Sequence, residues 1–364
     1  VIIPMTSDVG SNLVWIYFIV SFIPESSLWW LMNRDSQYFL MVIVCFLILL
    51  VAVTNLPRVR IPRIENNFSA YGLATIILVL VVAMFVVRYG LPRWSIAALE
   101  DVYDIRASNK GVFSTFWQYM LPSLNFGVNP FIFGVSLEKG NKGIALFSAL
   151  IGIYFFLELG TKTTLLSIFL MLLLYSSYQR RIFPEAFILL LTVLTVLGDV
   201  LAGCFGNVIL LSLISFRFLS VPANLAFSHY DFFSTNTKLY FSETLIGRVF
   251  DLKSPYSVHS TYLIGTGFSN ANTGFLSDAY DQGGFFVMVI YVILLAFLLS
   301  LVNSESEGHE LAVFTCFSYF MVTLNDSSLL TAITTFGGLI LLVFLYGLYS
   351  YRDVGEISSA KVRL

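Results

Sequence analysis

Charged residues are scarce in this chain. They make up 12% of 364 residues, and acidic and basic side chains nearly cancel at a net charge of -2. Such a balance lacks the basic surface of nucleic-acid-binding proteins, so we expect no nucleic-acid partner. The three cysteines (Cys45, Cys204 and Cys316) have no metal-like spacing and cannot all pair with one another, which indicates small apolar side chains.

Motifs for nucleotides and metals are also missing. The sequence contains neither G-x-x-x-x-G-K-[ST] nor H-E-x-x-H, and no glycine-rich turn follows a strand in a βαβ context. We therefore expect no cofactor and no metal site. Since we expect no bound nucleotide to supply energy, a reaction on the outer side of a membrane would have to use a preactivated substrate.

Hydrophobic residues are abundant instead: they form 57% of the chain, with 35 phenylalanines and a mean hydropathy of +0.84. This excess predicts an integral membrane protein. Because a span needs about 20 largely apolar residues, we expect about ten spans in one all-α polytopic membrane helix bundle that forms a single domain over 1–364. The candidate spans are 12–31, 37–56, 68–88, 113–136, 143–160, 163–179, 184–203, 284–303, 311–326 and 329–350.

Two longer segments remain between these spans. The short basic connections "PRVRIPRIENN", "EKGNK" and "YQRR" are placed in the cytoplasm by the positive-inside rule, which leaves 89–112 and 204–283 as outer loops. The second loop is far longer than an ordinary connection, and such loops usually carry function. Since it is rich in aromatic residues, we expect it to fold as short amphipathic helices over the membrane face.

Arg217 is the most informative cation in the large outer loop. It interrupts the apolar stretch "VILLSLISFRFLSVP", where an arginine costs about 2.5–3.5 kcal/mol at a span centre unless it is compensated. A bound anionic group would compensate it. Snorkelling to the interface, or pairing with Asp199 or Asp231, is the structural alternative.

Arg106 and Lys162 are further cations on the predicted outer side. Arg106 lies in "DVYDIRASNKG", where Asp101 and Asp104 offer local pairing. Lys162 follows the turn "ELGT" and is either a simple helix-end lysine or a point charge for a phosphate group.

The large outer loop also contains Arg248 and His259. His259 lies among hydroxyl and aromatic residues in "SPYSVHSTYLIGTGF", so it is a candidate base near neutral pH. A solvated loop histidine is the simpler interpretation. His229 and His309 give less reason for a functional assignment.

The stretch "NANTGFLSDAYDQGG" leads directly into an apolar helix. Its glycines permit close backbone approach, while Asn270, Asn272, Asp278 and Asp281 supply the donors and acceptors that sugar hydroxyls need. Non-helical polar backbone at membrane depth is tolerated where protein or a water-filled cavity covers it, so we expect the stretch to line a cavity. Alternatively, Asp278 or Asp281 caps the helix that follows.

Four segments together resemble the Wzy-type O-antigen polymerase family, polytopic enzymes that join lipid-linked oligosaccharide repeat units. The segments are "DIRASNKG", "LELGTKTTLLSIFLMLLLY", "SFRFLSVPANLAFSHYDFF" and "NANTGFLSDAYDQGGFFVMVIY", and the resemblance covers roughly residues 60 to 350. One departure is "YDQGG", where the family tends to a smaller or more apolar run, which leaves the role of Asp281 open.

The resemblance implies a multi-span, type C glycosyltransferase-like enzyme in the bacterial inner (cytoplasmic) membrane. Its substrates would be undecaprenyl-diphosphate-linked oligosaccharides, joined on the periplasmic side, and its partners would be membrane lipid and a chain-length regulator protein. A diphosphate leaving group calls for fixed cations, and arginine binds phosphate through two hydrogen bonds. The predicted cations for this role are Arg217 and Arg106, with Lys162 and Arg248.

The same resemblance implies that Asn270, Asn272, Asp278 and Tyr280 orient sugars and that His259 or an acidic residue serves as base where one is needed. Two other functions stay open. An O-antigen ligase would use a different acceptor, and a lipid-linked oligosaccharide flippase would be expected to place polar groups along its spans and to show repeat halves.

Overall fold

The computed structural model describes residues 8–57, 59, 61, 69–90, 113–159, 162–264 and 273–348. Across these residues the secondary structure is helical and contains no strand, which confirms the predicted all-α class. We number the helices in chain order: α1 Val9–Met32, α2 Ser36–Asn55, α3 Ala70–Tyr89, α4 Thr115–Glu138, α5 Lys142–Leu159, α6 Lys162–Gln179, α7 Phe183–Phe205, α8 Ile209–Thr235, α9 Leu245–Val249, α10 Ser260–Ile264, α11 Phe275–Glu305, α12 Glu310–Thr323, α13 Leu329–Thr334 and α14 Gly338–Leu348.

Eight helices within the described ranges are long and apolar enough to cross a membrane: α1 to α5, α7, α8 and α11. Shorter apolar helices include α12 and α14. Large apolar side chains on the spans face outward, as on α3, where only 22% of the most apolar window is buried. The chain is therefore a multi-pass helical membrane protein. The expected count of about ten spans stays a prediction.

Helix α8 is longer than the sequence led us to expect. We predicted only short helices within 204–283, but α8 runs unbroken over 27 residues of that range. Prolines do not end the spans here because a π-helical turn precedes or accompanies them: Phe18–Phe22 before Pro24 in α1, and Ser212–Ser220 before Pro222 in α8. The wider turn absorbs the backbone hydrogen bond that proline cannot donate.

The chain divides into two compact units. Unit 1 comprises Val1–Pro57, Ile182–Ser300 and Met321–Ala332. Its core is aromatic: Tyr38 is fully buried and its ring lies 5.1 Å from that of Phe227. The start of α11 is held by a hydrogen bond from Phe275 N to Leu324 O, and a Cβ at Gly274 would meet the Asn325 carbonyl at 2.9 Å. This close approach requires glycine there.

Unit 2 comprises Arg58–Arg181, Leu301–Phe320 and Ile333–Leu364. Phe126 stacks on Tyr319 at 5.2 Å in a core that also contains Phe133, Ala145, Ile168 and Met171. Glycines let backbones touch, since a Cβ on Gly337 would lie 2.6 Å from the Gly127 Cα. His309 Nδ1 lies 2.7 Å from Glu138 Oε2, which ties the start of α12 to the end of α4.

The sidedness of α11 is directly testable. Cysteines introduced at the exposed positions Ser257 and Glu307 are expected to react with an impermeant thiol reagent from opposite sides of the membrane. The reason is that one apolar helix, α11, separates the two positions. The exposed Cys204 is first replaced by serine. Labelling of both positions from the same side would contradict the assignment of α11 as a span.

Candidate functional site

Helix α11 is broken near its start, within the stretch that the sequence singled out. Gly283 and Gly284 leave the helical conformation, and Gly284 adopts φ +70°, which favours glycine over any L side chain. The carbonyls of Asp281 and Gln282 accept hydrogen bonds of 2.9 and 3.1 Å from Leu239 N and Tyr240 N. The break therefore exposes backbone polar groups, and the chain segment after α8 covers them.

A buried histidine–aspartate pair lies directly before the break. His229 Nδ1 on α8 is 2.5 Å from Asp281 Oδ2 on α11, and the two side chains are only 2% and 4% exposed. The other carboxylate oxygen, Asp281 Oδ1, is buried and has no hydrogen-bond partner among the described residues. Asp281, whose role the sequence left open, thus joins two membrane helices and still presents an acceptor.

Lys238 adjoins this pair. Its ammonium lies 3.3 Å from the centroid of the Tyr280 ring and 5.9 Å from that of Phe233. The Nζ atom is buried and makes no hydrogen bond within the described chain. Burial lowers the pKa of Lys238 to about 8, although the charge of Asp281 acts in the opposite direction.

Asp278 and Tyr280, both predicted to bind sugars, belong to the same cluster. Asp278 Oδ1 accepts a long hydrogen bond of 3.4 Å from Gln282 Nε2, whereas Asp278 Oδ2 is buried without a partner among the described residues. The Tyr280 ring packs 5.0 Å from that of Tyr230. We call Asp278, Tyr280, Asp281, His229 and Lys238 the break cluster.

His259 is held by Glu243 rather than standing alone in the loop. His259 Nδ1 lies 3.2 Å from Glu243 Oε2, with the histidine side chain 50% exposed and the glutamate side chain 7% exposed. Glu243 also accepts hydrogen bonds from Ser254 Oγ, Ser260 Oγ and Ser260 N. The carboxylate is thus the organising group of the loop, and His259 retains an exposed face.

Arg217 and Arg248 lie at the surface. Arg217 is exposed on the π-helical part of α8 and follows Phe216. Phe216 lines an apolar groove with residues of the preceding turns. Arg248 is exposed in the last turn of α9. Arg217 and Arg248 both interact with other groups. Their role in binding an anion stays a prediction.

Four other predicted residues fall beyond what the structure describes. Arg106, Asn270 and Asn272 lie outside the described residues, and Lys162 is the first residue of α6, with its side chain outside them. Within the described ranges, no group of three or more histidine, cysteine or acidic residues is arranged to hold a metal ion.

Sequence reasoning missed Lys238, Glu243 and the partnership of His229 with Asp281. His229 and Asp281 are 52 positions apart, and no local spacing links them. The only sequence signal was an ionisable residue in each of two apolar segments, which marks a functional candidate in a membrane protein.

The close approach of the chain around Gly247 gives a test of the loop fold. A Cβ there would meet the carbonyl oxygens of Ser242 and Phe241 at 2.3 and 2.5 Å, so Gly247→Ala is expected to disrupt the loop that carries Glu243. Gly203→Ala is the matched control, because a Cβ at Gly203 meets nothing within 4 Å. Protease susceptibility within 240–264 measures the difference. Equal susceptibility in both variants would contradict the described packing.

Comparisons of the chain with protein-family models, with curated proteins and with solved structures find no match. The functional assignment therefore depends on the residues of the break cluster and on the chemistry they permit.

Proposed function

We propose that this protein is a membrane glycosyltransferase that polymerises undecaprenyl-diphosphate-linked oligosaccharide repeat units into O-antigen or a related surface polysaccharide. The reaction takes place on the periplasmic side of the bacterial inner membrane. A hydroxyl of the incoming repeat unit attacks the anomeric carbon of the growing glycan, and the lipid diphosphate leaves.

The observation that carries this proposal is the set of unsatisfied polar atoms at the break in α11. The Lys238 ammonium offers donors, while Asp278 Oδ2 and Asp281 Oδ1 offer acceptors, and none of the three has a hydrogen-bond partner among the described residues. Buried polar groups are normally paired, so such atoms call for water or a ligand. A sugar supplies donors and acceptors together, and the Tyr280 ring offers an apolar surface for its C–H face.

The lipid diphosphate is assigned to the cations. Arg217 follows Phe216, which lines an apolar groove on α8. A cation next to an apolar surface suits a phosphate group attached to a hydrocarbon chain. Arg106, Lys162 and Arg248 stay proposed partners of the diphosphate, and Asn270 and Asn272 stay proposed sugar ligands. No metal is required in this scheme, since arginine and lysine supply the positive charge.

The test is polymerisation by the purified protein in nanodiscs containing undecaprenyl-diphosphate-linked repeat units, with products resolved by gel and mass spectrometry. Ladders of increasing repeat number are expected without added nucleotide. Transfer to lipid A core and not to another repeat unit would identify a ligase. Absence of either transfer by a folded protein, with several repeat-unit structures supplied, would refute the proposal.

A lipid-linked oligosaccharide flippase is the second candidate. The observation in its favour is the ionisable His229–Asp281 pair inside two apolar helices together with the break in α11, because broken helices with buried charges line transport sites. Movement of a labelled lipid-linked repeat unit across proteoliposomes, without chain extension, would support this function over polymerisation.

A further inference from the structure

The surroundings of Lys238 are unusual for a lysine on a membrane protein. The side chain is half-buried, its Nζ atom is buried, and the three N–H donors make no hydrogen bond among the described residues. A structural lysine at this depth would be expected to donate to a carboxylate or carbonyl. Here the ammonium lies over the face of the Tyr280 ring, 3.3 Å from the ring centroid.

The helix break leaves space for at least one added atom beside this lysine. A Cβ built on Gly284 would meet a single side-chain atom within 4 Å, Lys238 Cε at 3.9 Å. The helix break therefore leaves open space beside the lysine stem. Asp278 Oδ2 and Asp281 Oδ1, the two unpartnered acceptors, belong to the turn of α11 that precedes this break.

The charges around Lys238 favour a neutral polyhydroxylated ligand over an anion. The charge of Asp281 acts on Lys238, and Asp278 and Glu243 both lie close enough to act on Asp281. A phosphate here would therefore meet repulsion from carboxyl groups. A sugar hydroxyl meets no such repulsion, because it donates a hydrogen bond to a carboxylate oxygen. It can also accept a hydrogen bond from an ammonium group or give its proton to a neutral amine. Carboxylates near an amine are thus compatible with an acceptor sugar.

We propose that Lys238 is the catalytic base that removes the proton from the attacking hydroxyl of the acceptor sugar, which Asp278, Asp281 and Tyr280 hold beside it. The inference rests on the proposed glycosyl transfer and adds to it the acceptor site and the base. His259, the base candidate from the sequence, would then be a loop residue fixed by Glu243.

In this step one bond forms at the anomeric carbon and another bond to the same carbon breaks. The neutral Lys238 amine takes the hydroxyl proton and becomes an ammonium, while the hydroxyl oxygen forms a bond to the anomeric carbon. The bond between that carbon and the phosphate oxygen breaks, and its electron pair leaves with the lipid diphosphate. Lys238 then returns its proton to water.

This role predicts a particular pH dependence. Burial lowers the pKa of Lys238 to about 8, so the neutral amine is the minor form at pH 7 and the major form above pH 8. The rate of chain extension should rise with pH and level off above about pH 8. The titratable groups that face Lys238 are Asp281 and Tyr280 on α11. Asp281 in turn interacts with His229, Glu243, Tyr256 and Asp278.

The Lys238→Arg variant tests whether Lys238 acts as a base or only provides a positive charge beside Asp281. Arginine keeps the positive charge beside Asp281 but stays protonated throughout the accessible pH range. We expect Lys238→Arg to be slower by about 10²- to 10⁴-fold and to lose the rise in rate between pH 7 and 9. Lys238→Met should behave in the same way, and Lys253→Met, which removes an exposed lysine of the same loop, should keep the parental profile.

The assay is chain extension on lipid-linked repeat units in nanodiscs, measured from pH 6 to 9.5, with folding of each variant checked by size-exclusion chromatography and thermal unfolding. Parental activity in a Lys238→Arg variant, or an unchanged rise with pH in that variant, would overturn the base assignment while leaving glycosyl transfer intact. A parental protein without chain extension would instead refute the proposed function on which this inference rests.

Discussion

Replacing Arg217 with alanine is expected to slow chain extension by about a hundred- to a thousand-fold, because one fixed donor to developing negative charge is typically worth about 2.7–4 kcal/mol in the transition state. Arg217 is exposed on the π-helical part of α8, and the preceding residue, Phe216, lines an apolar groove. Arg217→Lys should be intermediate, since lysine keeps the charge but loses the two parallel hydrogen bonds of a guanidinium. The measurement is the rate of ladder formation at saturating lipid-linked substrate.

Two controls separate a substrate contact from a structural arginine. Arg180→Ala removes an equally exposed arginine from the predicted cytoplasmic connection and should retain the parental rate. Thermal unfolding of Arg217→Ala must match that of the parent, because an arginine that stabilises the helix would lose activity through misfolding. A folded Arg217→Ala protein with parental activity would remove this residue from the proposed site and make Arg248 the next cation to test.

The membrane class was predictable from the sequence because it depends on the length and composition of apolar segments alone. Helices α2, α3 and α7 coincide closely with the expected spans 37–56, 68–88 and 184–203. Pro24 lies inside the expected span 12–31, and a proline there would ordinarily interrupt a helix, yet α1 continues through it. A π-helical turn accommodates the proline, and such a turn leaves no mark in a hydropathy profile.

The candidate site was only partly predictable. The polar stretch before α11 was recognised from its glycines, and Asp278 and Tyr280 belong to the break cluster. The contribution of α8 was not recognised, because His229 and Lys238 become neighbours of Asp281 only when two helices pack together. A pairing across 52 residues is a property of tertiary structure, and one sequence carries no local signal for it.

The pair of His229 and Asp281 is expected to show strong energetic coupling. Each side chain is almost wholly buried, so His229→Phe leaves a carboxylate in an apolar interior and Asp281→Leu leaves an imidazole without its partner. Loss of one member of a buried pair typically costs about 3–5 kcal/mol, whereas replacing both by apolar residues of similar volume is often nearly neutral. The free energy of unfolding of the double variant should therefore exceed that of either single variant.

The same variants test whether Asp281 sets the proton affinity of Lys238. The charge of Asp281 raises the pKa of Lys238 against the effect of burial, so its removal should lower that pKa below the parental value of about 8. More of the lysine would then be neutral at pH 7, so the rise in the rate of chain extension should move to lower pH in the His229→Phe, Asp281→Leu double variant. Its maximal rate should be lower than the parental rate, because Asp281 no longer holds the acceptor sugar. Ser300→Ala, at a buried serine of α11 beyond the break cluster, is the control and should leave the pH profile in place. An unshifted profile in a folded, active double variant would mean that Asp281 does not set the proton affinity of Lys238.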